Sequence, residues 1–400
     1  MHPVLPTFLP TRFLLNPRPR GDGHPGPGTP AVLDLQAHDQ AYREISSWEG
    51  YAPTPLRTLP GLAGALGVAT LWYKDEAERL GLGSFKALGG TYGVFRALLS
   101  HLQKKAGIPD ASSEGLRAGG YRDLLAPLTV TCASAGNHGR AVALGASMFG
   151  CRCVIFLPSD TSHHRREAIR ELGADIVEVE GSYDDAVARA DQVAEERDWI
   201  VVSDTAYPGQ EELPASIMAG YTVMAREVLD QLSPGPPPTH VFLQAGVGGL
   251  AASVTGYFRE RLASRQPRMV VVEPDEADGL FQSALSAGCV PSGGSLDTTM
   301  SCLACRIPST LAWGILEGEV QAFLTIPDQA AEEVLRLLAR GVGDDEPILS
   351  QPSGVAGLTG LMAALMEPAL SDPLALGPES RVLVFGTEGP PTEPPSSKGS

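Results

Sequence analysis

Short β-branched runs recur along the chain, several of them apolar without alternation. They are LTVTCAS (128–134), CRCVIFLP (151–158), DWIVVSD (198–204), THVFLQAG (239–246), RMVVVEP (268–274) and RVLVFGTEG (381–389). Unalternating, β-branched runs of this kind predict strands covered on both faces, as in a parallel sheet. Between two of them the period changes. From Tyr183, apolar residues return at Ala186, Val187, Ala190, Val193 and Ala194, which is one face of an α-helix, and Ser182 stands in position to cap it. Strand, helix and strand repeated in this way predict an α/β class built from doubly wound units.

The ends break the pattern. NPRPRGDGHPGPGTP (16–30) is too rich in Pro and Gly to pack, so residues 1–30 read as a flexible leading segment, and PPTEPPSSKGS (390–400) as a disordered tail. Four hundred residues with 43% hydrophobic side chains suffice for two domains and a large core. A formal net charge of −17 argues against nucleic acid and anionic membranes as partners, so an anionic ligand must be held by local backbone dipoles. No apolar stretch reaches membrane-spanning length, and Arg12, Arg18 and Arg20 are not followed by a signal-peptide pattern; the expected location is cytoplasmic. Six cysteines in this length do not make a disulfide scaffold. Cys151 and Cys153 should face one side of a buried strand. Cys302 and Cys305, a single C-x-x-C without nearby histidines, read as buried thiols rather than a metal site.

Candidate chemistry begins at GLGSFKALGG (81–90), where Lys86 opens a helix-like run behind Phe85 and among glycines. A lysine that meets a bound aldehyde must be desolvated and fixed in its approach; a structural lysine stays open on this motif alone. In α/β sheets ligands bind beyond the carboxyl ends of strands, and three loops there stand out. In ASAGNHG (133–139), small residues admit a ligand and Asn137 can donate to a ring substituent, or simply cap the helix. In QAGVGGLAA (244–252), Gly246, Gly248 and Gly249 let successive N–H groups converge on one anion at a helix N-terminus. The run departs from G-x-G-x-x-G, which weakens a nicotinamide dehydrogenase reading. In FGTEG (385–389), Thr387 can offer a hydroxyl to a heterocyclic nitrogen, while Glu388 can pair with it or stay solvated. An aldehyde, a phosphate and an aromatic ring in one ligand describe pyridoxal phosphate.

GYAPTPLRTL, YKDEAERLGLGSFKALGGTYGV, ASAGNHGRAVA, SDTAYPGQEELPASIMAGY, QAGVGGLAA and MSCLACRIPSTLAWGIL, in this order, resemble the diaminopropionate ammonia-lyases. These are fold type II, tryptophan-synthase-β-like pyridoxal-phosphate enzymes. The resemblance implies two doubly wound domains with the cofactor in the cleft between them. The larger comprises residues 31–90 and 206–389, and the smaller residues 91–205. It further implies that Lys86 holds the cofactor's aldehyde, Phe85 packs beside the ring, and Asn137 partners the ring hydroxyl. Gly246, Val247, Gly248, Gly249 and Leu250 match the phosphate loop, and Thr387 the pyridine-nitrogen contact. Asp204 matches an acid that can hold a second substrate amine, although from sequence it could also be a helix cap. The implied activity is α,β-elimination on a small amino acid, with 2,3-diaminopropionate giving pyruvate and two ammonia molecules, in a homodimer. A threonine or serine dehydratase and a non-catalytic cofactor-binding homologue are the alternatives. Two departures bear on the substrate. The family's acid before Gly-Asn-His-Gly is Ala135 here, which implies a preference for the L-isomer, and the family's CGEP is Cys305-Arg306-Ile307-Pro308.

Overall fold

Among the described residues, eleven strands divide into two sheets: β1 (Arg12–Leu15), β2 (Leu56–Thr58), β3 (Thr70–Asp75), β4 (Thr129–Cys132), β5 (Arg152–Pro158), β6 (Asp175–Val179), β7 (Ile200–Val201), β8 (His240–Gln244), β9 (Arg268–Pro274), β10 (Ala322–Ile326) and β11 (Arg381–Gly386). The computed structural model describes residues 5–17, 34–207 and 209–390. The first sheet runs β1-β10-β9-β8-β11-β3-β2, parallel except at its two edge pairs. The second runs β6-β5-β4-β7 and is wholly parallel.

The unalternating runs have a simple cause. Val241, Leu243, Met269, Val271, Leu383 and Phe385 join one hydrophobic cluster, while Phe242, Val270, Val272, Val382 and Val384 join another across the sheet. Successive side chains point to opposite faces, so covering both faces demands apolar residues at every position. Each such burial is worth about 1.5–3 kcal/mol.

The lysine helix (Lys86–Lys104) connects the two sheets. It lies against helix Asn137–Phe149 of the second sheet and helix Glu212–Leu232 of the first. A Cβ at Gly90 would sit 2.5 Å from the Ala141 Cβ, and one at Gly93 2.7 Å from Ile217 Cγ1. The glycines after Lys86 therefore let two neighbouring helices approach closely. The helix expected from Tyr183 runs to Arg197, and Ser182 caps it in a capping box with Asp185.

One expectation needs correction. The first 30 residues do not all form a flexible segment, because Arg12–Leu15 adds an antiparallel edge strand to β10. Arg12 fastens it, donating to the Asp275 carbonyl and pairing with Asp278 at 2.8 Å. Residues 18–33 and the tail from 391 onward lie outside the described residues.

Candidate active site

Lys86 enters its helix from a turn sewn to the exit of β11. The Phe85 N–H donates to the Thr387 carbonyl at 3.2 Å, the Gly389 N–H to the Gly83 carbonyl at 2.9 Å, and Ser84 bridges Glu388. The amine thus emerges at the carboxyl end of the central strand, where ligands of such sheets bind. Its Nζ pairs with the Asp204 carboxylate, and both side chains are 20% exposed. Burial lowers the Lys86 ammonium pKa and raises that of the Asp204 carboxyl. Their mutual attraction overrides both effects, leaving the lysine above and the acid well below their ordinary ranges. His138 stands behind, its Nδ1 3.8 Å from Asp204 and its Nε2 2.8 Å from the Val202 carbonyl. Asp204 caps no helix, since the next one begins at Glu212.

Phe85 and Tyr221 flank the amine, with ring centroids 5.4 and 5.5 Å from Lys86 Nζ. Thr387 is buried at the end of β11, and its Oγ1 accepts from Gln244 Nε2 at 2.9 Å, which frees the hydroxyl proton for an outside acceptor. Asn137 is not a helix cap either, because Gly136 holds that position. Its Nδ2 instead donates to Glu388 Oε2 at 2.9 Å. Glu388 is therefore neither solvated nor idle: it is 5% exposed, and burial raises its pKa.

The glycine turn follows β8. Gly248 has φ +95°, a left-handed conformation that a side chain would strain, and a Cβ at Gly246 would lie 2.9 Å from Cys305 Sγ. Helix Gly249–Leu262 starts here without a side-chain cap. The N–H groups of Gly246, Gly248, Gly249 and Leu250 have no backbone or side-chain oxygen as acceptor among the described residues. A cluster of free donors at a helix N-terminus fits a phosphate. Ser309 N–H, donating to the Val247 carbonyl at 2.9 Å, and Ser309 Oγ, accepting from Ala206, hold the turn against the Asp204 loop. Amine, free hydroxyl, amide and donor cluster together fit a pyridoxal phosphate.

Several site residues were not visible in the sequence. Cys302, expected as a buried thiol, is exposed, and its Sγ lies 3.4 Å from Glu388 Oε2 and 3.6 Å from Asn137 Nδ2. Cys305 is half-buried beside the glycine turn. Only their place between two strands' loops brings them here, and C-x-x-C spacing carries no trace of it. Arg306 points away, its guanidinium donating to the carbonyls of Ser292 at 3.2 Å and Gly294 at 3.4 Å. Ala135 is half-buried two residues before Asn137.

Comparison with known proteins agrees with this geometry. Residues 48–387 match the family model described as pyridoxal-phosphate dependent enzyme. Diaminopropionate ammonia-lyase of Escherichia coli K12 is 38% identical over 346 residues, 85% of each chain. That of Salmonella typhimurium LT2 is 38% identical over 374 residues, 90% of this chain and 92% of the relative. The crystal structure of the Escherichia coli diaminopropionate ammonia-lyase in complex with D-serine superposes with a TM-score of 0.83 at 34% identity, covering 94% of this chain and 93% of that one.

Proposed function

The chain belongs to the diaminopropionate ammonia-lyase family of pyridoxal-phosphate-dependent enzymes, and from that premise we propose that it converts 2,3-diaminopropionate to pyruvate and two ammonia molecules. The fold is type II and the cofactor is pyridoxal phosphate. When bound, the cofactor withdraws electron density from the substrate Cα, so that the Cα proton becomes removable.

The protein's own groups do the rest. Lys86 would hold the cofactor through its aldehyde, and its amine, once free, would accept the substrate's Cα proton as general base. The Cα electron pair would form the double bond to Cβ as the Cβ–N bond breaks, and the β-amine would leave as ammonia with the proton that Lys86 took from Cα. Water then hydrolyses the unsaturated product to pyruvate and the second ammonia. Asp204 binds an ammonium, here that of Lys86; once Lys86 is engaged elsewhere, the same carboxylate is available to the substrate's β-amine. Asn137 would address the ring hydroxyl and Thr387 the ring nitrogen, Phe85 would pack beside the ring, and Gly246 to Leu250 would hold the phosphate.

The observation that carries this reading is the Lys86–Asp204 pair at the carboxyl end of the central strand. The test is the product ratio: two ammonia per pyruvate from diaminopropionate, with serine much slower. Turnover of serine without turnover of diaminopropionate would make the protein a dehydratase instead. No helix among the described residues is long and apolar enough to cross a membrane. We place the protein in the cytoplasm as the homodimer its resemblance implies, which light scattering on the eluted holoenzyme checks.

A further inference from the structure

Tyr221 stands mid-way along helix Glu212–Leu232 and is 1% exposed, yet its hydroxyl finds no acceptor among the described residues. An orphaned buried hydroxyl costs stability, so it calls for an acceptor supplied from outside the chain. Lys86 lies close by but cannot be that acceptor. Its ammonium only donates, so whatever the tyrosine oxygen receives from it, the O–H proton stays unused.

The ring's placement shows where that proton is available. A Cβ at Gly89 would lie 2.3 Å from Tyr221 Cε1, and one at Gly249 3.8 Å from Cε2. These two carbons flank the one that bears the hydroxyl. The hydroxyl end therefore emerges between the first turn of the lysine helix and the first residue of helix Gly249–Leu262. This is where the N–H groups of Gly248, Gly249 and Leu250 lack acceptors. Packing against Phe85, with centroids 4.8 Å apart, fixes the ring there.

We propose that Tyr221 is a phosphate ligand, donating its O–H to an oxygen of the cofactor's phosphate; this rests on the Gly246–Leu250 turn being the phosphate cradle. The hydroxyl extends the row of backbone donors with one side-chain donor. It also couples the phosphate to the lysine, since one ring touches both.

The test titrates apoenzyme with pyridoxal phosphate and, separately, with pyridoxal, following the lysine-bound chromophore. Tyr221→Phe keeps the ring and removes only the donor. Its Kd for pyridoxal phosphate should rise about 10- to 100-fold, the usual effect of losing a buried bond to a charged group. Its Kd for pyridoxal should stay within about threefold of wild type. The apoenzyme should melt no lower than wild type, because the lost hydroxyl had no acceptor, while the holoenzyme melts lower. Equal weakening toward both ligands, or none toward either, overturns the proposal. Gly248→Asp separates this from the underlying reading: if that variant also retains pyridoxal phosphate like wild type, the cradle itself is wrong. If Gly248→Asp loses the cofactor and Tyr221→Phe does not, only the hydroxyl's role falls.

Discussion

Two buried lysines on adjoining elements make opposite use of burial. Lys74, on β3, has a side chain that is 0% exposed, and its Nζ donates to the Thr54 carbonyl at 2.7 Å, Glu227 Oε2 at 2.6 Å and Gln231 Oε1 at 3.2 Å. All three ammonium protons are spoken for, and Arg79 secures the same Glu227 at 2.7 Å. Lys86 has one carboxylate partner and a fifth of its side chain open. Burial outweighs Glu227 at Lys74 and lowers its pKa, whereas Asp204 outweighs burial at Lys86 and raises it. A lowered pKa alone would nominate Lys74 as the nucleophile. Geometry reverses the choice in favour of Lys86, the amine whose bonds are unfinished.

Replacing each lysine in turn breaks the comparison most directly. Lys86→Ala should abolish the lysine-bound cofactor absorption and lower elimination by at least about a thousandfold, within the range of positioned proton-transfer groups. A borohydride-reducible lysine adduct persisting in that variant would move the reactive amine elsewhere. Lys74→Ala should instead cost about 3–5 kcal/mol of stability, because it strands part of the Glu227 charge in the interior. The folded fraction should still bind cofactor through lysine; a denaturation midpoint equal to that of wild type would show the network to be dispensable.

A third variant sharpens what Lys86 can reach. It approaches the substrate from one face, and Ala135 offers no base on the other. Wild type should therefore favour L-diaminopropionate, and Ala135→Asp should raise the rate on the D-isomer about a hundredfold. Initial rates on the pure enantiomers decide this, and equal wild-type rates would defeat it. The smallest effect concerns Glu273, a buried carboxyl that accepts from the N–H groups of Leu280 at 2.8 Å and Phe281 at 2.7 Å. Burial pushes its pKa up to about 8, so between about pH 5 and 8 the folded state holds a proton that the unfolded state has lost. Stability from this group falls as pH rises across that window. Glu273→Gln should flatten that part of the melting profile, and parallel profiles would mean that Glu273 is ionised throughout.

The three inner strands β8, β9 and β11 were legible because covering both faces leaves a mark in the sequence, their unalternating runs. Of the four edge strands, β1, β2 and β6 were not. RFLL and LRT are short and only half-buried, and β6 pairs along one edge with exposed residues. Within the site, Lys86, Asn137 and the glycine turn were legible because each carries a local backbone constraint. Tyr221, Cys302 and the burial of Glu388 depend on which helices and loops meet, and no spacing along the chain encodes that. Proline and glycine content suggested a wholly loose leading segment, but four residues, three of them apolar, were enough to add a strand to an open edge.

The last strand in chain order occupies the middle of the first sheet, with β3 on one side and β8 on the other. A ribosome therefore delivers Lys86, Asn137, Asp204 and the glycine turn long before the residues that will join them. Until Arg381–Gly386 emerges, β3 and β8 present open edges to each other and to neighbouring nascent chains, the condition under which strands pair wrongly. Thr387 and Glu388 arrive with that same strand. Closing the sheet and completing the site are thus one coupled event, and a chain cut before Arg381 lacks both the strand between β3 and β8 and the residues Thr387 and Glu388.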